Sequence, residues 1–169
     1  MEDPLAGVWV HPDVAVGESP IHGCGLFAAR PVAAGTTVMR LGGRLVSTAD
    51  LGRLLAGPEF VDTITVAEDR HLVLPPGTTA HWGNHSCAPT LWHDGPYALT
   101  ARRDVAAGGE LTLDYGTHTG DPAVRMPCAC GAPTCRHEVT GDDWRRPDLW
   151  ARYGSHWSPA LRARILVCA

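Results

Sequence analysis

The 169-residue chain contains no lysine and no glutamine, all 14 of its cationic side chains are arginine, and it has a single asparagine, Asn84. No apolar run approaches the roughly 20 residues a membrane-spanning helix requires, so no transmembrane helix is expected. The opening Met1-Glu2-Asp3-Pro4 places no basic stretch ahead of an apolar one, so no secretory leader is expected and the chain is assigned to the cytoplasm. A surplus of positive charge is also missing. The formal net charge of −4 and pI near 6.1 argue against direct binding of nucleic acid by phosphate neutralisation, which requires clustered cations. The 19 glycines and 14 prolines are spread along the chain, leaving no linker, repeat or low-complexity segment. What remains is one domain with a small appendage, of a size that buries roughly 70% of its unfolded surface.

Six cysteines in a cytoplasmic chain call for a role other than disulfides. Cys128, Cys130 and Cys135 lie within eight residues, separated by Gly131, Ala132 and Pro133, small and turn-forming residues that let the backbone fold around a point. This is metal-knuckle spacing. Zinc takes four thiolates at about 2.3 Å in a closed tetrahedron, so a distant ligand must fill one corner. Cys87, Cys24, Cys168 and His137 are the candidates, and Cys87 is the one whose own motif gives it a reason to be near.

The pattern along the chain is one of short strands. Val8-Trp9-Val10 and Val14-Ala15-Val16 are brief apolar stretches; residues 36–46 alternate through a Gly42-Gly43 turn; Val61 to Val66 and His71 to Leu74 are β-rich. A short helix is predicted over 49–55, capped by Ser47-Thr48 and stopped by Gly57-Pro58. Two more are predicted in the tail, over 147–153 and 158–166, the second with Pro159 at its first position. Trp144, Trp150, Trp157 and Tyr153 are expected to pack these helices onto the core rather than roof a channel. The fold class is mainly β, made of small curved sheets with few short helices and a helical C-terminal tail.

Asn84 stands in Gly83-Asn84-His85-Ser86-Cys87. Alone it would read as a turn cap, because Asn side chains bond their own backbone. His85, the nearby Cys87 and the downstream Glu110-Leu111-Thr112-Leu113-Asp114-Tyr115-Gly116 favour a site instead, since an amide offers two donors and an acceptor on a short stem. Near the N-terminus, His22-Gly23-Cys24-Gly25-Leu26-Phe27 places two glycines where backbone amides could approach a ligand closely. The third glycine and long helix of a dinucleotide-binding fingerprint are missing, so no Rossmann domain is expected.

In this order, the His22 to Phe27 turn, the Asn84 to Pro89 segment, the Arg103 to Gly116 segment and a Cys-x-Cys-x4-Cys knuckle resemble the SET-domain protein lysine methyltransferases. The likeness covers almost the whole chain. It implies a SET domain over 5–118, with a pseudoknot that brings Asn84 and Tyr115 together, and a post-SET zinc-binding and helical segment over 119–169. It implies S-adenosylmethionine as cofactor, held by His22, Gly23, Cys24, Gly25, Asn84, His85, Tyr115 and Arg136. It also implies zinc on Cys87, Cys128, Cys130 and Cys135, stapling the C-terminal flap over the cofactor. Composition adds that the Lys- and Gln-free, Ala-, Gly- and Arg-rich chain looks like the product of a GC-rich, bacterial-type genome.

Tyr115 is the implied catalytic residue. A lysine amine, with a pKa of about 10.4 in water, must lose its proton before attacking a sulfonium methyl, and a dry channel beside a cation favours that loss. No strong protein base is then obligatory, and Tyr115 would fix the approach geometry. Asp114 is expected to serve structurally.

The implied partner is a protein with an accessible lysine, such as a basic histone-like protein, or a small amine. Another reaction built on the same cofactor site and a catalytically silent binding module are further alternatives. Departures from the family pattern bear on this choice: His81 where arginine is common, Thr90 where asparagine is common, Gly109 where glutamate is common, and Leu113 where Phe or Tyr is common. The segment between Ser47 and Thr78 is short, removing one wall of the usual peptide groove. The degree of methylation therefore does not follow from the resemblance.

Overall fold

Frequent glycine and proline cut the chain into elements too short to stand alone, and they hold together by sharing one core. The computed structural model describes residues 3–168. In chain order the strands are β1 (Trp9–Val10), β2 (Val14–Glu18), β3 (Cys24–Ala28), β4 (Thr37–Arg40), β5 (Arg44–Val46), β6 (Thr63–Ala67), β7 (Arg70–Val73), β8 (Leu91–Asp94), β9 (Ala98–Ala101), β10 (Arg125–Pro127) and β11 (Glu138–Thr140). They form four small antiparallel sheets, ordered β1-β4-β9-β8, β5-β7-β6, β2-β3 and β10-β11. Among the described residues there are three α-helices: α1 (Thr48–Leu55), α2 (Pro147–Tyr153) and α3 (Pro159–Cys168). None of them is long and apolar enough to cross a membrane.

The predicted helices form for the predicted reasons. The Ser47 hydroxyl accepts the Asp50 N–H at 3.1 Å, satisfying one of the orphan donors of the first turn of α1. Helix α2 starts at Pro147 and ends against Gly154, whose φ of +53° is a conformation glycine adopts without the Cβ penalty. Helix α3 begins at Pro159, as predicted, and continues two residues further, to Cys168. The β8–β9 and β10–β11 pairs were not marked by their sequences. Asp94-Gly95-Pro96 turns the first, while the second is closed by a loop whose shape the cysteine cluster sets.

The main core draws on β3, β4 and β6 to β9, with Leu26, Val38, Leu41, Leu72 and Leu111 almost wholly buried. Removing such side chains from water is worth about 1.5–3 kcal/mol each, which is what these short strands require to persist. A second cluster, Trp144, Leu149, Tyr153, Trp157, Leu161 and Ile165, packs the C-terminal helices as expected, and α3 rests against β6. The Trp150 indole N–H donates to the Trp144 carbonyl.

The site is built by a threaded segment. Residues 110–113 run between β3 and the Asn84–Leu91 stretch and are hydrogen-bonded on both sides. The Leu111 N–H donates to the Leu26 carbonyl at 2.7 Å and the Leu113 N–H to the Asn84 carbonyl at 3.0 Å. The Ser86 N–H returns a bond to the Leu113 carbonyl at 3.1 Å, and the Leu91 N–H donates to the Thr112 carbonyl at 2.9 Å. Thr90, at the position where asparagine is common in the resembling family, locks the same crossing. Its hydroxyl donates to the Glu110 carbonyl at 3.0 Å and accepts the Thr112 N–H at 2.8 Å. The threading delivers Asp114 and Tyr115 beside Asn84 and His85.

Candidate active site and metal centre

Asn84 is held by the glycine turn. Its Nδ2 donates to the carbonyls of His22 (3.2 Å) and Cys24 (2.9 Å) and to Glu110 Oε1 (2.9 Å). Three acceptors around one nitrogen fix the orientation of the amide and leave Oδ1 as the acceptor free to meet a ligand. Glu110 Oε1 also accepts from the Ser19 hydroxyl at 2.8 Å. This explains Gly25: a Cβ there would collide with the Glu110 carboxylate and meet Ser19 Cβ at 3.0 Å. Gly23 turns the chain at φ +49°. Gly25→Ala is expected to cost about 1–3 kcal/mol by overpacking this knot, as read by urea denaturation. Unchanged stability would show that the turn gives way. Glu110 was not singled out from the sequence, although a lone acid entering an apolar run needs a partner, and that need was the available signal.

Two cavities meet at Tyr115. One, of about 360 Å³, is lined by Ile21, His22, Asn84, His85 and Tyr115, with Met126 to Ala129 of the C-terminal flap opposite. The other, of about 450 Å³, has apolar walls that include Leu26, Met39, Leu111 and Leu113, with Tyr115, His81 and Asp62 among its polar groups. Among the described residues, Tyr115 is the one common to both walls. Its hydroxyl donates to the Gly83 carbonyl at 2.6 Å, and its N–H donates to His85 Nδ1 at 3.1 Å. Burial, with the nearby Asp62 charge, pushes the phenol up to about 12, so it acts as a neutral hydrogen-bond donor rather than a base. Burial likewise holds the His85 imidazole down at about 4 against the pull of Asp114.

The predicted residues divide between the cavity and its supports. His22, Asn84, His85 and Tyr115 line the smaller cavity, whereas Gly23, Cys24 and Gly25 shape the turn behind it. Arg136, expected from the resemblance to touch the cofactor, is not among the residues lining that cavity. Its guanidinium, 4% exposed, forms a two-pronged pair with Asp114 at 2.7 Å on each prong and reaches Asp143 at 3.1 Å. The Tyr153 hydroxyl adds a third bond to Asp114 at 2.6 Å. Burial alone would push the Asp114 carboxyl up, but the Arg136 guanidinium and the Tyr153 hydroxyl hold it below the usual carboxylate range. Asp114 is structural, as expected, and it ties the residue before Tyr115 to the C-terminal segment. Asp143 and Tyr153 carried no local sequence signal for this partnership.

The cysteines converge. His85, Cys87, Cys128 and Cys130 place one ligand atom each within 4.8 Å of one another. Cys135 Sγ lies 3.7 Å from Cys128 Sγ, itself 3.8 Å from Cys87 Sγ. Backbone N–H groups aim at the sulfurs: Cys87 to Cys130 (3.4 Å), Arg136 to Cys87 (3.3 Å) and His137 to Cys135 (3.4 Å). That arrangement suits thiolates holding a cation. Five donors exceed a tetrahedron, and His85 is the one accounted for otherwise. Its Nδ1 accepts from Tyr115, so Nε2 carries the proton and points it at Cys87 Sγ, 3.3 Å away. Of the other candidate ligands, His137 contributes backbone to the knuckle at φ +62°, Cys24 sits in the glycine turn, and Cys168 is exposed at the end of α3.

A sequence model of the SET domain matches residues 23–116. The chain belongs to the SET-domain family. That span begins at the glycine turn and ends just past Tyr115, enclosing the whole threaded crossing. Over 140 residues, 75% of this SET-domain chain, it is 36% identical to histone-lysine N-methyltransferase ATX2 of Arabidopsis thaliana. It is 33% identical over 135 residues, 73% of the chain, to human histone-lysine N-methyltransferase 2B. The matched regions make up only 13% and 5% of those relatives. The methyltransferase domain of human SETMAR superposes with a TM-score of 0.62 at 20% identity, covering 77% of this chain and 58% of that one, and so shares the fold.

Proposed function

We propose that this chain transfers the methyl group of S-adenosylmethionine to the side-chain amine of a lysine in a protein. The single observation that carries the reading is Tyr115 on the wall shared by two cavities, one beside the Asn84 amide and the other largely apolar. The smaller cavity suits the cofactor: it offers Asn84 Oδ1, the His22 turn and a roof from Met126 to Ala129, and S-adenosylmethionine supplies an activated methyl on a cationic sulfur. Asn84 orients, the flap excludes water, and the phenol of Tyr115 fixes where the two sides meet. The sequence relatives named as histone-lysine methyltransferases support a basic, histone-like protein as partner. The testing experiment is transfer of labelled methyl to a histone H3 N-terminal peptide and to the same peptide with every lysine replaced by arginine. Label on the second peptide, or on neither, would refute the assignment.

A small amine is the second reading. The larger cavity, at about 450 Å³, falls in the size range of small-molecule pockets, roughly 300–1,000 Å³. Label transfer to free diamines in preference to peptide would select it.

The same proposal assigns zinc to Cys87, Cys128, Cys130 and Cys135, with the His85 Nε2–H steadying the Cys87 sulfur. Structural zinc supplies folding free energy outright. The purified protein is expected to carry about one zinc per chain. Chelation should expose residues beyond 119 to protease while leaving the β-sheets folded. Metal-free protein with a protease-resistant C-terminal segment would remove the staple.

A further inference from the structure

His81 stands where the resembling family commonly has arginine, and its neighbours give it a chemical task. His81 Nδ1 lies 2.7 Å from an Asp62 carboxylate oxygen, with the two side chains 17% and 29% exposed. With Nδ1–H donated to Asp62, the neutral ring keeps its lone pair on Nε2. Both residues line the larger cavity with Tyr115, and Asp62 is close enough for its charge to act on the phenol. Asp62 is the only carboxylate on that wall among the described residues, and no arginine lines it. Imidazole is the side chain suited to exchanging a proton near neutral pH, and a carboxylate on its far nitrogen fixes the tautomer that accepts.

We propose that His81, oriented by Asp62, is the catalytic base that takes the proton from the substrate ammonium. The inference rests on the methyl-transfer reading above. The ammonium N–H bond breaks and the proton passes to His81 Nε2, directly or through one water, while the nitrogen keeps the electron pair. That pair forms the new N–C bond as the methyl leaves its sulfur, which retains the C–S electrons as a thioether. The imidazolium then loses its Nε2 proton to solvent, which restores the tautomer paired with Asp62; His81 also borders a neighbouring open cavity. Desolvation of the amine favours proton loss but gives the proton no destination, and His81 supplies one.

The groups facing His81 across the two cavities are Asp62, Glu59 and Arg44 on one side and Tyr115 and His118 on the other. Burial pushes Tyr115 up to about 12 and His118 down to about 4, so neither titrates between pH 6 and 9.

The test is steady-state methyl transfer to the H3 N-terminal peptide from pH 6.5 to 9.5 by the wild type, His81→Gln and Asp62→Asn, each checked by thermal melting. At pH 7, His81→Gln is expected to lower kcat by about 10²-fold or more, the usual worth of a general base, with KM nearly unchanged. The deficit should shrink towards pH 9.5, where more of the peptide amine is already neutral in solution. Asp62→Asn, which keeps the shape of the pair, should show a smaller loss with the same pH trend, and it decides the matter if His81→Gln does not fold. Wild-type kcat in the variants at pH 7, or a deficit equal at every pH, overturns the base while leaving the transferase intact. A wild type that methylates no lysine peptide takes down the reading and the inference together.

Discussion

Phenylalanine at position 115 is expected to lower kcat by about 10²-fold or more while leaving cofactor affinity nearly unchanged, because a misplacement of about 1 Å at a reacting centre costs that much. Tyr115 is held at both ends: its N–H bonds His85 Nδ1 and its hydroxyl bonds the Gly83 carbonyl, one residue before Asn84. The bond to Gly83 links the turn that would carry the cofactor to the wall of the larger cavity. Losing the hydroxyl removes that link and leaves the Gly83 carbonyl short of a donor, at a cost of about 1–3 kcal/mol in stability. Rapid-quench kinetics, calorimetric cofactor binding and urea denaturation separate the three effects. Because the phenol is neutral up to about 12, the variant should lose rate equally from pH 6 to 9, unlike the His81 variant. Wild-type kcat in Tyr115→Phe would show that the phenol is packing alone.

Arg136→Met should destabilise the protein by about 3–5 kcal/mol, the usual penalty for removing one partner of a buried ion pair. Asp114 is fully buried, and Arg136 meets it with two bonds of 2.7 Å while also reaching Asp143. Removing the guanidinium leaves a carboxylate in a dry site with Tyr153 and the Gly116 N–H as its remaining donors. Tyr153→Phe, which removes one hydrogen bond and leaves the charge paired, should cost less, about 1.5–3 kcal/mol. Urea denaturation of both variants reads the difference, and equal losses would mean that Arg136 acts by filling space. Activity should fall further than stability alone accounts for, since Asp114 positions the residue that follows it.

Much of this architecture was legible in order and spacing. The caps at Ser47 and Pro147, the alternation through β6 and β7 and the packing of Trp144 and Trp157 are local matters, and the local physics decided them. Cys87 as a partner of the knuckle and Asn84 as a neighbour of Tyr115 were legible through the resemblance; the threaded segment brings the second pair together, and Cys87 Sγ lies 3.8 Å from Cys128 Sγ. Arg136 was assigned to the cofactor only as what the resemblance implies. The resemblance gave no account of Asp143 and Tyr153, which approach from the C-terminal helices and, with Asp114, draw the guanidinium inward.

The sequence by itself determined which chemistry this protein can attempt: one amide, one Asp-Tyr pair and a cysteine knuckle whose residue types and order admit few other uses. Tertiary structure decided which groups share a cavity. Glu110 reaches Asn84 across 26 residues, Asp62 reaches His81 across 19, and Asp114 reaches Arg136 across 22 and Tyr153 across 39. The Glu110 pairing arises from the crossing of the 110–113 segment, and the two Asp114 pairings from the docking of the C-terminal tail. A hydrogen bond or ion pair is specified by where two atoms finally lie, and residue spacing carries no record of it.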